Sequence, residues 1–300
     1  MDSPELLFAA ERGRLVGLAY RILGSRLDAE DVVQEAWIRM QQADLDSIAV
    51  PEAWLTTVVS RLALDQLKSA RRRRETYVGP WLPEPIRTPP RADDDPGELA
   101  AMGETLTTGF LQLLDSLNPI ERVVFLLADV FQVPHGQIAT VVDRSPDATR
   151  QIASRARRRV RQGESPRSAL DPRANEVVDQ LVSALLEGDL DQVVGLVADD
   201  AVLVSDGGAE THAARRPVVG VERVARFATN IAKRLAAFAG PAAVAMERTP
   251  INAEPGLVVL FDGQPFLAAS FTVVDGRVSR IHLMRNPSKL AALAVEGELT

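Results

Sequence analysis

The chain has 300 residues, 46% hydrophobic and 25% charged, with a formal net charge of −7 and no cysteine. That length and composition predict two or three globular domains. The lack of cysteine excludes disulfides, thiolate nucleophiles and Cys-ligated zinc, and fits a reducing, cytoplasmic setting. No apolar run reaches the roughly 18–20 residues that span a bilayer, so no membrane association is expected. The start, MDSPELLFAA, lacks the basic-then-apolar pattern of a signal peptide. His135, His212 and His282 show no metal-ligand spacing, and neither metal nor cofactor is expected. The acidic total argues against a nucleic-acid binder, but arginine is concentrated at 71–74 and 155–161. A local basic patch is what such binding needs, and arginine suits bidentate contacts. A biased genome accounts for the arginine equally well.

Residues 1–75 predict helices with short breaks. In DAEDVVQEAWIRM (28–40), Val32, Val33, Ala36, Trp37 and Met40 fall on one helical face. Asp28 is the expected N-cap, and Asp31, Gln34 and Glu35 share a polar face. A second amphipathic helix follows from 52 to 74, with Trp54, Leu55, Val58, Leu62 and Leu67 as its apolar face. Residues 76–100 are rich in proline and read as a stiffened linker.

Helical periodicity returns at 104–161. Asn118-Pro119 is a helix start, with proline at the first helical position. A short helix near 135–142 meets a tight turn, and Ser145-Pro146 opens the next helix. Ile138, Val141, Ile152, Ala156 and Val160 are placed to form a shared core, with Ala139 small at the closest approach. This is a helix-turn-helix pattern. After a polar connection at 163–175 the sequence changes character. Helices near 174–187 and 189–198 precede a strand AVLVS, a DGG turn and a helix near 220–237. Short apolar strands then alternate with the hairpin turns FDGQ and VDGR. Helices followed by a curved antiparallel sheet predict an α+β domain.

These segments together (DAEDVVQEAWIRM, AWLTTVVSRLALDQLKSARRRR, LNPIERVVFLLADVF and the helix-turn-helix) resemble the sigma-70 superfamily over roughly 6–162. More narrowly they resemble its extracytoplasmic-function (ECF) group. The remainder resembles SnoaL-like domains of the ketosteroid-isomerase superfamily, which form an NTF2-like cone. One sigma-factor group combines the two and carries WLPEP in the linker, a DGG motif in the tail and NP-x-KL near the end. Here these stand at 81–85, 206–210 (DGGAE) and 286–290 (NPSKL). Two departures stand out. Glu210 replaces the group's usual lysine, and Asp143 occupies a turn position where glycine is common. Asp tolerates the left-handed conformation fairly well.

The resemblance implies two all-α sigma domains plus a C-terminal α+β cone. Its expected boundaries are sigma domain 2 at 1–75, linker 76–103, sigma domain 4 at 104–163, linker 164–173, SnoaL-like domain 174–292 and tail 293–300. It implies an alternative sigma factor, without enzymatic activity, that is regulated in cis by its own C-terminal domain. The partners would be core RNA polymerase, through the β′ clamp and β flap, and promoter DNA in duplex and single-stranded form.

Asp31, Gln34, Glu35 and Arg39 would then dock on the clamp; the plain alternative is a solvated helix face. Arg61, Asp65, Lys68, Arg71 and Arg72 would serve the minus-ten element, where a basic groove holds a single strand. Asp65 either accepts from a base or pairs with Arg61 or Lys68. Thr149, Arg150, Gln151, Ser154, Arg155 and Arg158 would serve the minus-thirty-five element. Arg150 would reach guanine and Gln151 adenine, while Arg155, Arg157 and Arg158 meet phosphates.

Trp81, Leu82 and Pro83 are expected to anchor on the tail near Asp206, Gly207 and Gly208 or near Asn286, Pro287, Lys289 and Leu290, though Trp81 packing on a sigma domain is the alternative. The tail would contact both sigma domains and fix their spacing. It also offers a pocket for an unnamed small ligand. An isomerase-like reaction would draw on Asp206, His212, Asp262 or His282, but Tyr20 and Tyr77 both lie outside 174–292, leaving no tyrosine oxyanion donor. The alternative function is a SnoaL-type enzyme or ligand sensor fused to a helix-turn-helix regulator.

Overall fold

Side-chain caps and left-handed turns set the element boundaries of the computed structural model, which describes residues 4–44, 47–74, 77–88, 106–162, 173–238 and 244–294. Of Arg72–Arg74 the backbone alone is described. The expected linker residues 89–103 and 164–172 and the tail from 295 lie outside the described residues. The described residues form two compact units, one from 4–74 and 111–162, the other from 77–88, 106–110 and 173–294.

The first unit is helical. It contains α1 (Pro4–Leu23), α2 (Arg26–Gln42), α3 (Pro51–Arg74), most of α4 (Thr108–Leu114), α5 (Pro119–Phe125), α6 (His135–Val142) and α7 (Pro146–Gln162). The N-cap of α2 is Ser25, not Asp28. The helix starts three residues earlier than the acidic run suggests, and the Asp28 N–H donates to Ser25 Oγ at 3.1 Å. Asn118 and Glu121 form a full capping box at α5. A π-helical turn, Leu126–Val130, follows α5.

In α3 the buried residues are Leu55, Thr56, Val59, Ser60, Ala63, Leu64, Leu67 and Ala70, while Trp54, Val58 and Leu62 are half-buried. The face is therefore rotated from the expected one. Its buried row runs through Ser60 and Ala63, small residues that give little apolar signal. Asp143 ends α6 in the left-handed region (φ 52°, ψ 58°), and Ser145 Oγ accepts from the Ala148 N–H of α7 at 3.2 Å. Ile138, Ala139 and Val141 of α6 are buried, as are Ala153 and Ala156 of α7.

The second unit is α+β. It contains α8 (Ala174–Glu187), α9 (Leu190–Leu196), β1 (Val197–Asp206), β2 (Val218–Val219), α10 (Val221–Phe238), β3 (Val244–Arg248), β4 (Gly256–Phe261), β5 (Gln264–Val274), β6 (Arg277–Met284) and α11 (Pro287–Leu290). The sheet order is β2-β1-β6-β5-β4-β3. The expectation of a wholly antiparallel sheet is corrected at one place: β1 pairs with β6 in parallel, Leu203 opposite Ile281. That pairing joins the first long strand to the last, a register that local patterns do not specify. Both hairpins use Asp-Gly turns with positive φ at each residue: Asp262 48° and Gly263 74°, Asp275 51° and Gly276 72°. These are the type I′ angles that match strand twist.

Alternation along the strands feeds two cores. Leu203, Leu257, Val259, Leu267, Ala269, Phe271 and Ile281 pack with α8 and α10. Val204, Val258, Leu260, Ala268 and Met284 pack on the other face with Leu82, Ile251, Leu290 and Leu293. Cover on both faces explains why β4 reads as an unbroken apolar run. Among the described residues no helix is long and apolar enough to cross a membrane, and no acidic or histidine cluster could hold a metal.

Candidate nucleic-acid interface and linker clasp

On α2, Asp31, Gln34 and Arg39 are exposed and Glu35 is half-buried. Arg39 Nε donates to Glu35 Oε1 at 2.9 Å. On α3, Asp65 pairs with Lys68 at 3.0 Å. Arg61 turns instead to α6, donating to the Thr140 carbonyl at 2.5 Å, and Arg71 donates to the Leu117 carbonyl at 2.8 Å. Gln137 of α6 adds a bond to the Ala53 carbonyl at 2.7 Å. Two of the basic groups expected to face DNA are thus bonded within the first unit. The Arg72 side chain lies outside what the structure describes.

On α7, Gln151, Ser154, Arg155 and Arg158 are exposed, and exposed Arg150 pairs with Asp147. Thr149 is corrected: it is fully buried, its hydroxyl donating to the Ser145 carbonyl at 3.0 Å, so it cannot face a base. The spacing places it correctly on the first turn, but the side chain turns inward and not toward DNA. Arg157 bonds Asp129 at 2.6 Å and Arg159 bonds Glu121 at 2.7 Å, which ties the helix to the end of the π turn and to the α5 cap.

In the second unit Asp206 is the centre of a buried polar clasp. Its side chain is fully buried at the end of β1. It accepts from the Leu82 N–H at 2.8 Å, Tyr77 Oη at 2.5 Å, the Gly208 N–H at 3.0 Å and Lys289 Nζ at 2.7 Å. Lys289 also donates to the Leu82 carbonyl, and its ammonium lies 4.2 Å from the Trp81 ring centroid and 5.0 Å from that of Tyr77. A cation over aromatic faces is attracted by the ring quadrupole. Asn286 caps α11 and donates to Tyr77 Oη at 2.7 Å.

Leu82 is 1% exposed, and burying such a side chain contributes about 1.5–3 kcal/mol. Leu290 shares its core, Pro83 is buried and Pro287 is exposed at the first turn of α11. The glycines of the DGG motif have a steric reason. A Cβ at Gly207 would collide with the Thr211 carbonyl. One at Gly208 (φ 62°) would stand 2.8 Å from Asn286 Nδ2.

A second buried acid was not foreseen. Glu254 accepts from the Thr108 N–H at 3.2 Å, Ser270 Oγ at 3.3 Å and Thr272 Oγ1 at 2.5 Å. Burial raises its pKa, against the lowering effect of these bonds and of Arg280. Thr108 Oγ1 and Ser270 Oγ are 3.2 Å apart, and Ser270 Oγ is 3.5 Å from His282 Nδ1. Burial lowers the His282 pKa to about 3, helped by Arg280. A depressed histidine stabilises the fold above its unfolded pKa near 6.5, and that contribution is lost as pH falls towards 3. His282→Gln is expected to flatten the acid limb of a stability-against-pH curve; an unchanged limb would contradict this.

The four candidates for tail chemistry do not converge. Asp206 is in the clasp, His282 lies on the same sheet face near Ser270, Asp262 is in the β4–β5 turn and His212 is exposed. Tyr77, expected to lie apart from the tail, belongs to the second unit and donates to Asp206.

A helix-turn-helix preceded by a bundle whose last helix ends in arginines is the architecture of a sigma factor. The family model for Sigma-70 region 2 matches residues 7–73, and that for Sigma-70, region 4 matches 109–160. The ECF RNA polymerase sigma factor SigJ of Mycobacterium tuberculosis is 41% identical over 295 residues, covering 94% of this chain and 91% of the relative. The probable ECF RNA polymerase sigma factor SigI of the same species is 31% identical, covering 98% and 97%. The crystal structure of SigJ superposes with a TM-score of 0.73 at 36% identity, covering 96% of this chain and 99% of that one. The chain belongs to the ECF RNA polymerase sigma factors.

Proposed function

We propose that this sigma factor is held in check by its own C-terminal unit, which grips the segment joining the two sigma regions. The observation that carries this is Asp206, which takes hydrogen bonds from Tyr77, Leu82 and Lys289 at once. Region 2 (1–75) docks on the β′ clamp of core polymerase through Asp31, Gln34, Glu35 and Arg39, and recognises the minus-ten element through Arg61, Asp65, Lys68, Arg71 and Arg72. Region 4 (104–163) meets the β flap and reads the minus-thirty-five element through Arg150, Gln151 and Ser154, with Arg155 and Arg158 on phosphates. Arg61 and Arg71 are engaged with α6 and Leu117 in the structure, so DNA must exchange those bonds for its own. The SnoaL-like domain (174–292) acts as regulator, not enzyme, and its recess takes a small ligand. The site of action is the cytoplasm, where polymerase and promoter are.

Transcription with purified core polymerase tests this. Trp81→Ala in the full chain loosens the clasp without emptying the core, and is expected to raise promoter-specific initiation severalfold. Equal output from both forms would contradict restraint. For region 4, Arg150→Ala is expected to cost about 1–3 kcal/mol at one base position of the minus-thirty-five element. Binding across single-base variants measures this, and uniform weakening would reassign Arg150 to phosphate.

A further inference from the structure

Between the sheet and the helices α8 and α10 the second unit holds a recess of about 160 Å³. Every residue lining it is apolar. Its depth is formed by Leu203, Leu267, Phe271 and Ile281, all nearly or fully buried. At its mouth stand Leu186, Val244 and Met246, 62%, 38% and 39% exposed, three large hydrophobic side chains in water on one edge.

The chemistry of such a lining is restrictive. Water needs two to four polar partners to settle, and this recess offers almost none. A charged or strongly polar ligand would lose its hydration without replacement. A peptide segment would bring amide groups into walls that cannot pair them. What remains is a molecule with no hydrogen bonds to lose. In another protein, an engineered apolar cavity of about 150 Å³ stays dry and binds benzene.

The geometry points to a neutral, essentially hydrocarbon ligand of about one six-membered ring with short alkyl substituents. This deepens the regulatory reading of the C-terminal unit and rests on it. Among the described residues no acid, base or nucleophile lines the recess, which suits binding without turnover.

The test uses the full chain with toluene and benzoate, the same ring without and with a charge. Toluene is expected to bind saturably, with a negative heat-capacity change and intermolecular nuclear Overhauser contacts to the methyls of Leu267 and Ile281. Benzoate is expected to bind at least tenfold more weakly. Ala232→Phe, which fills the recess from α10, is expected to weaken toluene at least tenfold. Where that variant fails to fold, the wild-type contacts and the toluene–benzoate ratio decide. No saturable toluene binding, contacts away from the recess, equal benzoate affinity, or a folded Ala232→Phe that binds toluene as before would each overturn the assignment. None of these outcomes bears on the clasp, which is read from transcription by Trp81→Ala. Toluene binding unchanged in that variant is expected, and its loss would place the ligand at the clasp instead.

Discussion

Asp206→Ala is expected to destabilise the C-terminal unit by about 3–5 kcal/mol, the range for removing one partner of a buried ion pair. The cost comes from what is left behind. Lys289 is almost fully buried, and its ammonium would lose the carboxylate it pairs with at 2.7 Å. The Leu82 N–H and the Tyr77 hydroxyl would lose their acceptor as well. Asp206→Asn keeps the shape but can serve fewer donors and carries no charge, so it is expected to fall between. Denaturant unfolding of the full chain measures both. A loss below about 1 kcal/mol, the range of an exposed pair, would mean that Asp206 does not hold the clasp.

Glu254→Ala is the second large effect expected. It strips the acceptor from the Thr108 N–H and from two buried hydroxyls, and each buried donor left unpaired costs about 1–3 kcal/mol. The pH dependence separates this site from a merely structural one. The folded-state pKa of Glu254 is raised above its ordinary value of 4.5. Its contribution is therefore full below 4.5 and is lost as pH rises through the raised value. Glu254→Gln cannot ionise, so the difference between wild type and this variant is expected to change with pH in that window. His282 acts in the opposite sense below 6.5 and is common to both proteins, so it cancels in the difference. A difference flat in pH would contradict the raised pKa.

The two acids hold points near the two ends of the linker. Asp206 binds Tyr77 and Leu82 near its start, and Glu254 binds Thr108 just past its end. Sequence motifs exposed the first and not the second. Asp206 announces itself because the two glycines beside it are sterically required and because the family resemblance links its DGG motif to WLPEP and NPSKL. Glu254 sits in the unremarkable segment NAEPG, and its partner Thr108 is 146 residues away. Tyr77 reads as separate from the tail for the same reason, 129 residues separating it from Asp206.

Local chemistry was legible wherever it acts alone. Asn118-Pro119, Ser145-Pro146 and the two Asp-Gly turns each fix their element without tertiary help. Legibility failed where packing chose between faces. In α3 small buried residues rotated the core row by one position, and in α7 Thr149 turned inward to bond the preceding turn. The parallel β1–β6 pairing belongs to the same class, since nothing local sets which distant strand lies beside β1.

Promoter-specific transcription in vitro tests most directly the proposed restraint of the sigma regions by the clasp. Core polymerase is supplied in turn with the wild-type chain and with Trp81→Ala, at equal concentrations of folded protein. Higher initiation from Trp81→Ala, with the start site unchanged, is the predicted result. Equal initiation from the two proteins would contradict restraint by the clasp.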